Sequence, residues 1–282
     1  MNKKRLFSTA IALILVGIVG MAAYQFKFGE ELISYQNKWE LQDAENLKKL
    51  RISSNIEIDF AFEDSGDSGG YIAFDGKLRP EYIDILQSFH PSGSEIELDL
   101  TPSYKIQFMS VDFHSPKGKL TVVLPSSTKL DDLELSTFSD NIHVKGASSK
   151  TVDISVKSGN INMSEIRAEQ LNVENISGNI RGFDIQASTQ LVNHSGNVVL
   201  KDLEGPVDIE VSSGNVNLGL VGVSPVQILC RSGDVKVQPD PSFRGFYDLK
   251  SLSGSVKAPE AMEETTDTIQ IQTYSGNIDI VH

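Results

Sequence analysis

The sequence predicts an all-β fold, a β-solenoid of roughly 19-residue coils preceded by one N-terminal transmembrane helix. A Ser-Gly-Asn motif recurs throughout the C-terminal half of the 282-residue chain. Aliphatic and polar residues alternate in phase with this motif, as strands require. A long uncharged stretch follows a basic N-terminus. Together these features divide the chain into five segments, taken in order below.

Residues 1–5 form a basic flank, with Lys3, Lys4 and Arg5, and residues 6–26 are uncharged and largely apolar. About 20 apolar residues in a helix cross the ~30 Å hydrocarbon layer. Basic residues beside a span stay in the cytoplasm. We therefore predict a single-pass membrane protein with a cytoplasmic N-terminus and an extracytoplasmic C-terminal domain.

A cleaved signal peptide is the alternative, because Gly20 and Ala22 are small residues suited to positions −3 and −1 before a cleavage site. The apolar core of a signal peptide is usually about 7–15 residues, shorter than this stretch. The length favours an uncleaved signal anchor. In both cases the body of the protein lies outside the cytoplasm.

Residues 27–49 are predicted to form a juxtamembrane stalk or short helix, with apolar Trp39 and Leu47 among charged residues. Residues 50–130 carry strand signals without the regular motif. They predict irregular rungs that cap the solenoid, with strands near 95–100, 105–112 and 119–124. The loop 64–70 is acidic but lacks calcium-loop spacing, so we interpret it as a solvated turn.

Residues 131–282 hold the regular repeat, whose turns begin at serines spaced by 18 to 22 residues. The turn serines are Ser139, Ser158, Ser177, Ser195, Ser213, Ser232, Ser253 and Ser275. Glycine usually follows, which supplies the positive φ of a tight turn. The first copy has Asp140 instead, which predicts a strained or differently shaped turn.

Three positions counted from the turn serine keep one character in all eight copies. Position +3 is a β-branched apolar residue, position −4 is aliphatic and position −5 is polar. Position +3 holds Ile142, Ile161, Ile180, Val198, Val216, Val235, Val256 and Ile278; position −4 holds Leu135, Ile154, Val173, Leu191, Ile209, Ile228, Leu249 and Ile271. We predict that both of these columns lie in the core.

Two architectures agree with this pattern. In a hairpin meander the turn joins antiparallel strands. In a solenoid each repeat is one coil, and equivalent positions stack along the axis. The solenoid is favoured because it would stack the turn asparagines into a hydrogen-bonded ladder and would place the insertions 239–244 and 260–267 opposite the turn.

The composition excludes several function classes. Beyond residue 5 the chain has 22 basic and 38 acidic residues, a formal charge of −16, which disfavours nucleic acid. The one cysteine, Cys230, falls at a core-facing position and is predicted to be a buried structural thiol. The histidines show no metal-ligand spacing; they are His90, His114, His143, His194 and His282. We predict no catalytic, cofactor-binding or metal-binding residues and no cofactor.

The segments Lys119–Pro125 and Leu133–Ile142 and the Ser-Gly-[Asn/Asp]-[Ile/Val] series resemble the DUF4097 family, whose members carry the label "putative adhesin". The resemblance covers residues 50–282. With the N-terminal anchor, the layout is similar to the membrane-anchored member of Lia-type cell-envelope stress operons. The resemblance implies a surface or envelope role and brings no catalytic residues. Asp140 and the two long connections depart from the regular pattern.

The primary function hypothesis is a non-enzymatic binding or scaffold protein of the cell envelope, whose ligand is a protein or a glycan. A self-assembling solenoid is the alternative, because residues 274–282 end in mid-strand and leave an edge for end-to-end association. A polysaccharide-active enzyme is disfavoured. Asp153, Asp208 and Asp248 alternate with amides, and Lys236 and Lys257 stack with no obvious acid nearby.

Overall fold

The computed structural model describes residues 7, 10, 11, 13–17, 32–66, 69–102 and 115–281. Within them, 20 strands are joined by main-chain hydrogen bonds into one continuous β structure, with one 3-10 helix (Ala44–Asn46) and the helix α1 (Pro80–Ser88). Residues 7, 10, 11 and 13–17 are also helical. The strands are β1 (Ile33–Leu41), β2 (Lys49–Ser54), β3 (Glu57–Asp64), β4 (Gly70–Leu78), β5 (Glu95–Leu100), β6 (Lys117–Leu124), β7 (Asp132–Thr137), β8 (Ile142–Lys145), β9 (Ser148–Ser158), β10 (Ile161–Ser177), β11 (Ile180–Ser195), β12 (Val198–Glu204), β13 (Val207–Ser213), β14 (Val216–Leu220), β15 (Val226–Ser232), β16 (Val235–Gln238), β17 (Phe246–Ser251), β18 (Val256–Lys257), β19 (Thr268–Ser275) and β20 (Ile278–Ile280).

The repeats stack in parallel rather than folding into hairpins. The strand before a turn pairs with its equivalents in the neighbouring coils, as β13 does with β11 and β15. The strand after the turn does the same, as β14 does with β12 and β16. The hairpin alternative is therefore wrong, and the all-β prediction is confirmed.

The two aliphatic columns form the predicted core. Positions +3 and −4 are at most 3 % exposed in seven of the eight coils. The exceptions are Val256, which is 45 % exposed, and Leu249, which is half-buried. Both belong to the same coil, so the core is complete except at one end of the stack.

The turn glycines allow adjacent coils to touch. Gly178, Gly196 and Gly214 have φ values of 142, 125 and 143°, which L side chains rarely adopt. A Cβ built on Gly214 would overlap the carbonyl oxygen of Gly196 in the neighbouring coil. Asp140 is not among the described non-glycine residues with positive φ, so its backbone differs from that of the turn glycines.

A ladder of side-chain oxygens, seven from asparagine or aspartate, joins the turns and confirms the prediction made from the stacked asparagines. Each Oδ1 accepts the main-chain N–H of the next turn at 2.7 to 3.0 Å. In spatial order the ladder runs through Asn141, Asn160, Asn179, Asn197, Asn215, Asp234, Asn277 and the N–H of Ser255.

The last two coils are stacked out of chain order. β19 lies between β15 and β17, and β20 lies between β16 and β18. The edge predicted at residues 274–282 is therefore wrong for the described residues 274–281, because strands flank this segment on both sides. The end coil consists instead of β17 and β18. The long connections 239–245 and 258–267 carry the chain past one coil and back, on the side predicted.

The N-terminal end shows a similar rearrangement. β2 lies between β5 and β7, and β3 lies between β6 and β8. β4 pairs antiparallel with both β1 and β6. The stalk or helix predicted for residues 27–49 is wrong for β1, which joins this end of the sheet because its alternate side chains turn toward the core.

The predicted strands at 95–100 and 119–124 are confirmed, and that at 105–112 lies outside the described residues. α1 was not predicted; it buries Tyr82 and Leu86, and Phe89 at its end packs edge-on against Trp39 with ring centroids 5.2 Å apart.

The predicted transmembrane segment 6–26 lies mostly outside the described residues. Among those described, no helix combines the length and apolar character needed to cross a membrane.

Replacing a turn glycine tests the stacking. We expect Gly214→Ala to lower the free energy of unfolding by roughly 2–4 kcal/mol, because it adds a steric clash to an unfavourable φ. Gly222→Ala is the control: its φ is 74° with no atom within 4 Å of the new Cβ, so about 1 kcal/mol is expected. Urea unfolding followed by circular dichroism measures both, and equal losses would contradict the stacking argument.

Candidate binding surfaces

A stripe of outward-facing side chains runs along the stack beside the turns. The residue immediately before each turn serine points outward because the residue that precedes it on the strand points inward. In spatial order these residues, here called the pre-turn stripe, are Phe138, Lys157, Ile176, His194, Ser212, Arg231, Tyr274 and Leu252. At about 4.8 Å per coil, the stripe is roughly 34 Å long.

The pre-turn stripe differs chemically from the rest of the chain. Phe138, Ile176, Tyr274 and Leu252 are 58, 45, 47 and 68 % exposed. The stripe has no acidic residue, although the whole chain carries a formal charge of −13. The Lys157 Nζ atom lies 4.4 Å from the centroid of the Phe138 ring, so cation and aromatic ring form one contact surface. The stripe therefore presents apolar faces and positive charge together.

Two carboxylates do lie on adjacent coils, contrary to the prediction that the −5 column holds no such pair. Glu134 of β7 is in register with Asp153 of β9. The Arg51 Nε atom is 2.5 Å from Glu134 Oε2, and the Lys49 Nζ atom is 2.7 Å from Oε1. These hydrogen bonds and charges lower the pKa of Glu134 to about 2. Glu134 is thus ionised at neutral pH and holds no proton to donate as a general acid.

The predicted lysine stack is wrong. Asp279 of β20 lies between Lys236 and Lys257 in register, so the charges alternate along this row. The row was assigned from chain order, which the last two coils do not follow.

The thiol of Cys230 is fully buried, as predicted. Its Sγ atom lies 3.6 Å from the carbonyl oxygens of both Gly214 and Gly233. Desolvation by burial raises the pKa of this thiol, which disfavours the reactive thiolate.

The loop after β3 is a turn held by Asp64. Its carboxylate accepts hydrogen bonds from the Gly66 N–H and the Ser126 hydroxyl, which lower the pKa of Asp64. Residues 67 and 68 of this loop, and also His114 and His282, lie outside the described residues. In the described part of the chain, no three potential metal ligands among His, Cys, Asp and Glu converge.

The end coil forms a second exposed surface. β17 pairs with β19 along one edge, and no described strand pairs with its other edge. Phe246 and Leu252 point outward and are 38 and 68 % exposed. Sequence reasoning missed this edge because it took the chain end for the end of the stack.

Parallel coils, an aliphatic core and a turn ladder define an all-β repeat protein of the solenoid-like class. The chain belongs to the Toastrack DUF4097 family, whose model matches residues 48–281. This confirms the resemblance drawn from the motifs.

Among solved structures, a "putative adhesin" of Bacteroides fragilis has a TM-score of 0.50 at 13 % identity, covering 90 % of this chain and 99 % of its own. At that identity the likeness shows the fold alone. A "putative lipid binding protein" and a "putative adhesin", both of Parabacteroides distasonis, have TM-scores of 0.38 and 0.37 at 14 and 12 % identity. They cover 88 and 90 % of this chain and 97 and 98 % of their own. TM-scores this low do not bear on its fold. No curated protein matches the chain.

The ion pairs of Glu134 should make stability depend on pH. The folded-state pKa of about 2 lies below the ordinary 4.5, so the contribution is complete above pH 4.5 and is lost as the pH falls toward 2. At pH 6 we expect Glu134→Gln to lower the free energy of unfolding by roughly 1 kcal/mol, because solvent screening weakens these partly exposed ion pairs. Near pH 2, where Glu134 becomes protonated, the same substitution should change the free energy of unfolding very little.

Urea unfolding at pH 6 and pH 2.5 measures this difference, and Arg51→Ala provides the control. If the pairing is the cause, Glu134→Gln in the Arg51→Ala background should have a smaller effect at pH 6 than it has alone. An equal loss at both pH values would contradict the assignment.

Proposed function

We propose that this chain is a non-enzymatic binding protein of the cell envelope, held in the membrane by residues 6–26, with an extracytoplasmic β domain. The pre-turn stripe carries this proposal. Exposed aromatic and aliphatic side chains supply dispersion contacts, and Lys157 and Arg231 supply charged hydrogen-bond donors. A repeating row roughly 34 Å long suits an extended ligand, such as a surface glycan or an extended polypeptide segment.

The pre-turn stripe belongs to a stack whose length follows from its strand count. The described domain starts at β1, which lies at one end of the stack, and the sheet that contains β1 has twelve strands and ends at β18 of the end coil. At about 4.8 Å per strand, this places the end coil roughly 53 Å from β1. The family resemblance extends the proposal to a role in the envelope-stress response.

A comparison of two phenylalanines tests the stripe. Phe138 lies in the stripe and Phe183 lies on the outer face of the other sheet, with similar exposures of 58 and 53 %. We expect Phe138→Ser to weaken binding of the full chain to isolated envelope polysaccharide or envelope protein about tenfold, since one exposed aromatic contact is lost. Phe183→Ser should leave binding unchanged.

The measurement is a pull-down with titrated full chain on each envelope fraction, with unfolding curves to verify that both variants fold. Equal losses in the two variants would remove the stripe as the binding surface. No retention on either fraction by the wild-type chain would overturn the proposed function.

The anchor is tested by fractionation of cells that express the full chain. We expect the chain at its full mass in the membrane fraction, resistant to alkaline extraction, because a span of about 20 apolar residues holds a chain in lipid. Deletion of residues 6–26 should abolish this retention. A released chain that begins after Ala22 would instead establish the cleaved signal peptide.

A further inference from the structure

The end coil leaves both a strand edge and a core end open. Val256 and Leu249 occupy positions that are buried in the other seven coils, yet they are 45 % exposed and half-buried here. Tyr247, which also points inward, is half-buried. Main-chain edges of this kind pair readily with another strand. The end coil therefore has the properties of an interface without its partner.

The main-chain groups of β17 show which residues face the open edge. The Phe246 N–H donates to the Asp267 carbonyl at 2.8 Å, and the Leu252 N–H donates to the Thr273 carbonyl at 3.1 Å. Both of these even-numbered residues thus face the side of β19. Because alternate residues direct their N–H and C=O groups to opposite edges, Tyr247, Leu249 and Ser251 direct theirs outward.

We propose that β17 pairs antiparallel with β17 of a second copy of this chain, about a twofold axis at Leu249. Leu249 then exchanges hydrogen bonds with the partner's Leu249, and Tyr247 does so with the partner's Ser251. The residues between them fall at the close, non-hydrogen-bonded positions, where side chains touch most directly. The open ends of the two cores meet across the axis and cover Val256 and Leu249.

The outward side chains of β17, together with that of Leu252 directly after it, are self-complementary in this register. Asp248 lies opposite the partner's Lys250, and by symmetry Lys250 lies opposite the partner's Asp248. Phe246 lies opposite the partner's Leu252, so the two exposed apolar residues of the edge cover each other. The edge thus matches itself in both charge and hydrophobicity.

The charges also select the register. A twofold axis at Asp248 would oppose two aspartates, and one at Lys250 would oppose two lysines; like charges directly opposite are destabilising. The axis at Leu249 turns both contacts into attractive pairs. Since a twofold interface uses the same surface on both copies, association ends at the dimer and does not build a filament. The pairing is independent of the ligand proposed for the pre-turn stripe.

Charge reversal tests this pairing. We expect Asp248→Lys, and separately Lys250→Asp, to raise the dimer dissociation constant at least about tenfold, because two cross-strand attractions become repulsions. The double variant Asp248→Lys/Lys250→Asp should restore the wild-type constant. Sedimentation equilibrium of the full chain in detergent measures all four, with circular dichroism to verify the fold. A wild-type monomer at every concentration, an unchanged single variant or an unrestored double variant would each overturn the proposal.

Disulfide trapping tests the register separately. Full-length Asp248→Cys and Lys250→Cys chains, mixed and oxidised, should form the mixed dimer faster than either homodimer. The native Cys230 is fully buried and adds little background. The matched control is a mixture of Asp208→Cys and Glu210→Cys chains, whose cysteines have the same spacing on β13. Because β13 has a paired strand on each side, it offers no open edge to a second copy. Equal yields from the two pairs, or a predominance of homodimers, would overturn the register.

Discussion

The whole stack depends on the close approach of each turn glycine to the carbonyl of the preceding turn in the stack. Because a Cβ at this position would overlap the neighbouring carbonyl, only glycine lets the coils reach β-sheet spacing at the turn. The adjacent asparagine then accepts the main-chain N–H of the next turn through its Oδ1 atom. The spacing at the turn therefore sets the spacing of both sheets, and this spacing brings the aliphatic columns into contact.

The same turn explains why the inward-facing position two residues before the serine holds different residue types in different coils. The Nδ2 atom of Asn175 donates to the Gly159 carbonyl at 3.1 Å, and the Oγ atom of Ser251 donates to the Gly276 carbonyl at 2.8 Å. Turn carbonyls that face the interior are thus satisfied by small donors, as buried polar groups require. Cys230 fits this column as a weak donor. Where the column holds Val156 or Val211, the side chain contributes only packing.

The inner architecture was predictable from the sequence because it depends on local chemistry repeated eight times. The core columns, the amide ladder and the burial of Cys230 all follow from the position of a residue relative to its turn. The spatial order of the coils does not, because each coil offers its neighbours nearly the same surface. The long connections 239–245 and 258–267 are one signal of reordering. Interpreted only as insertions opposite the turn, they do not reveal the open edge of β17.

The electrostatics of the outer face give a physical reason for the observed order of the last coils. Stacking in chain order would place Lys236 beside Lys257, whereas insertion of the final coil places Asp279 between them. Opposite charges on neighbouring strands are stabilising and like charges are not. The insertion also gives β20 a hydrogen-bonded strand on each side. The end of the stack is therefore formed by β17 and β18, which lie next to each other along the chain.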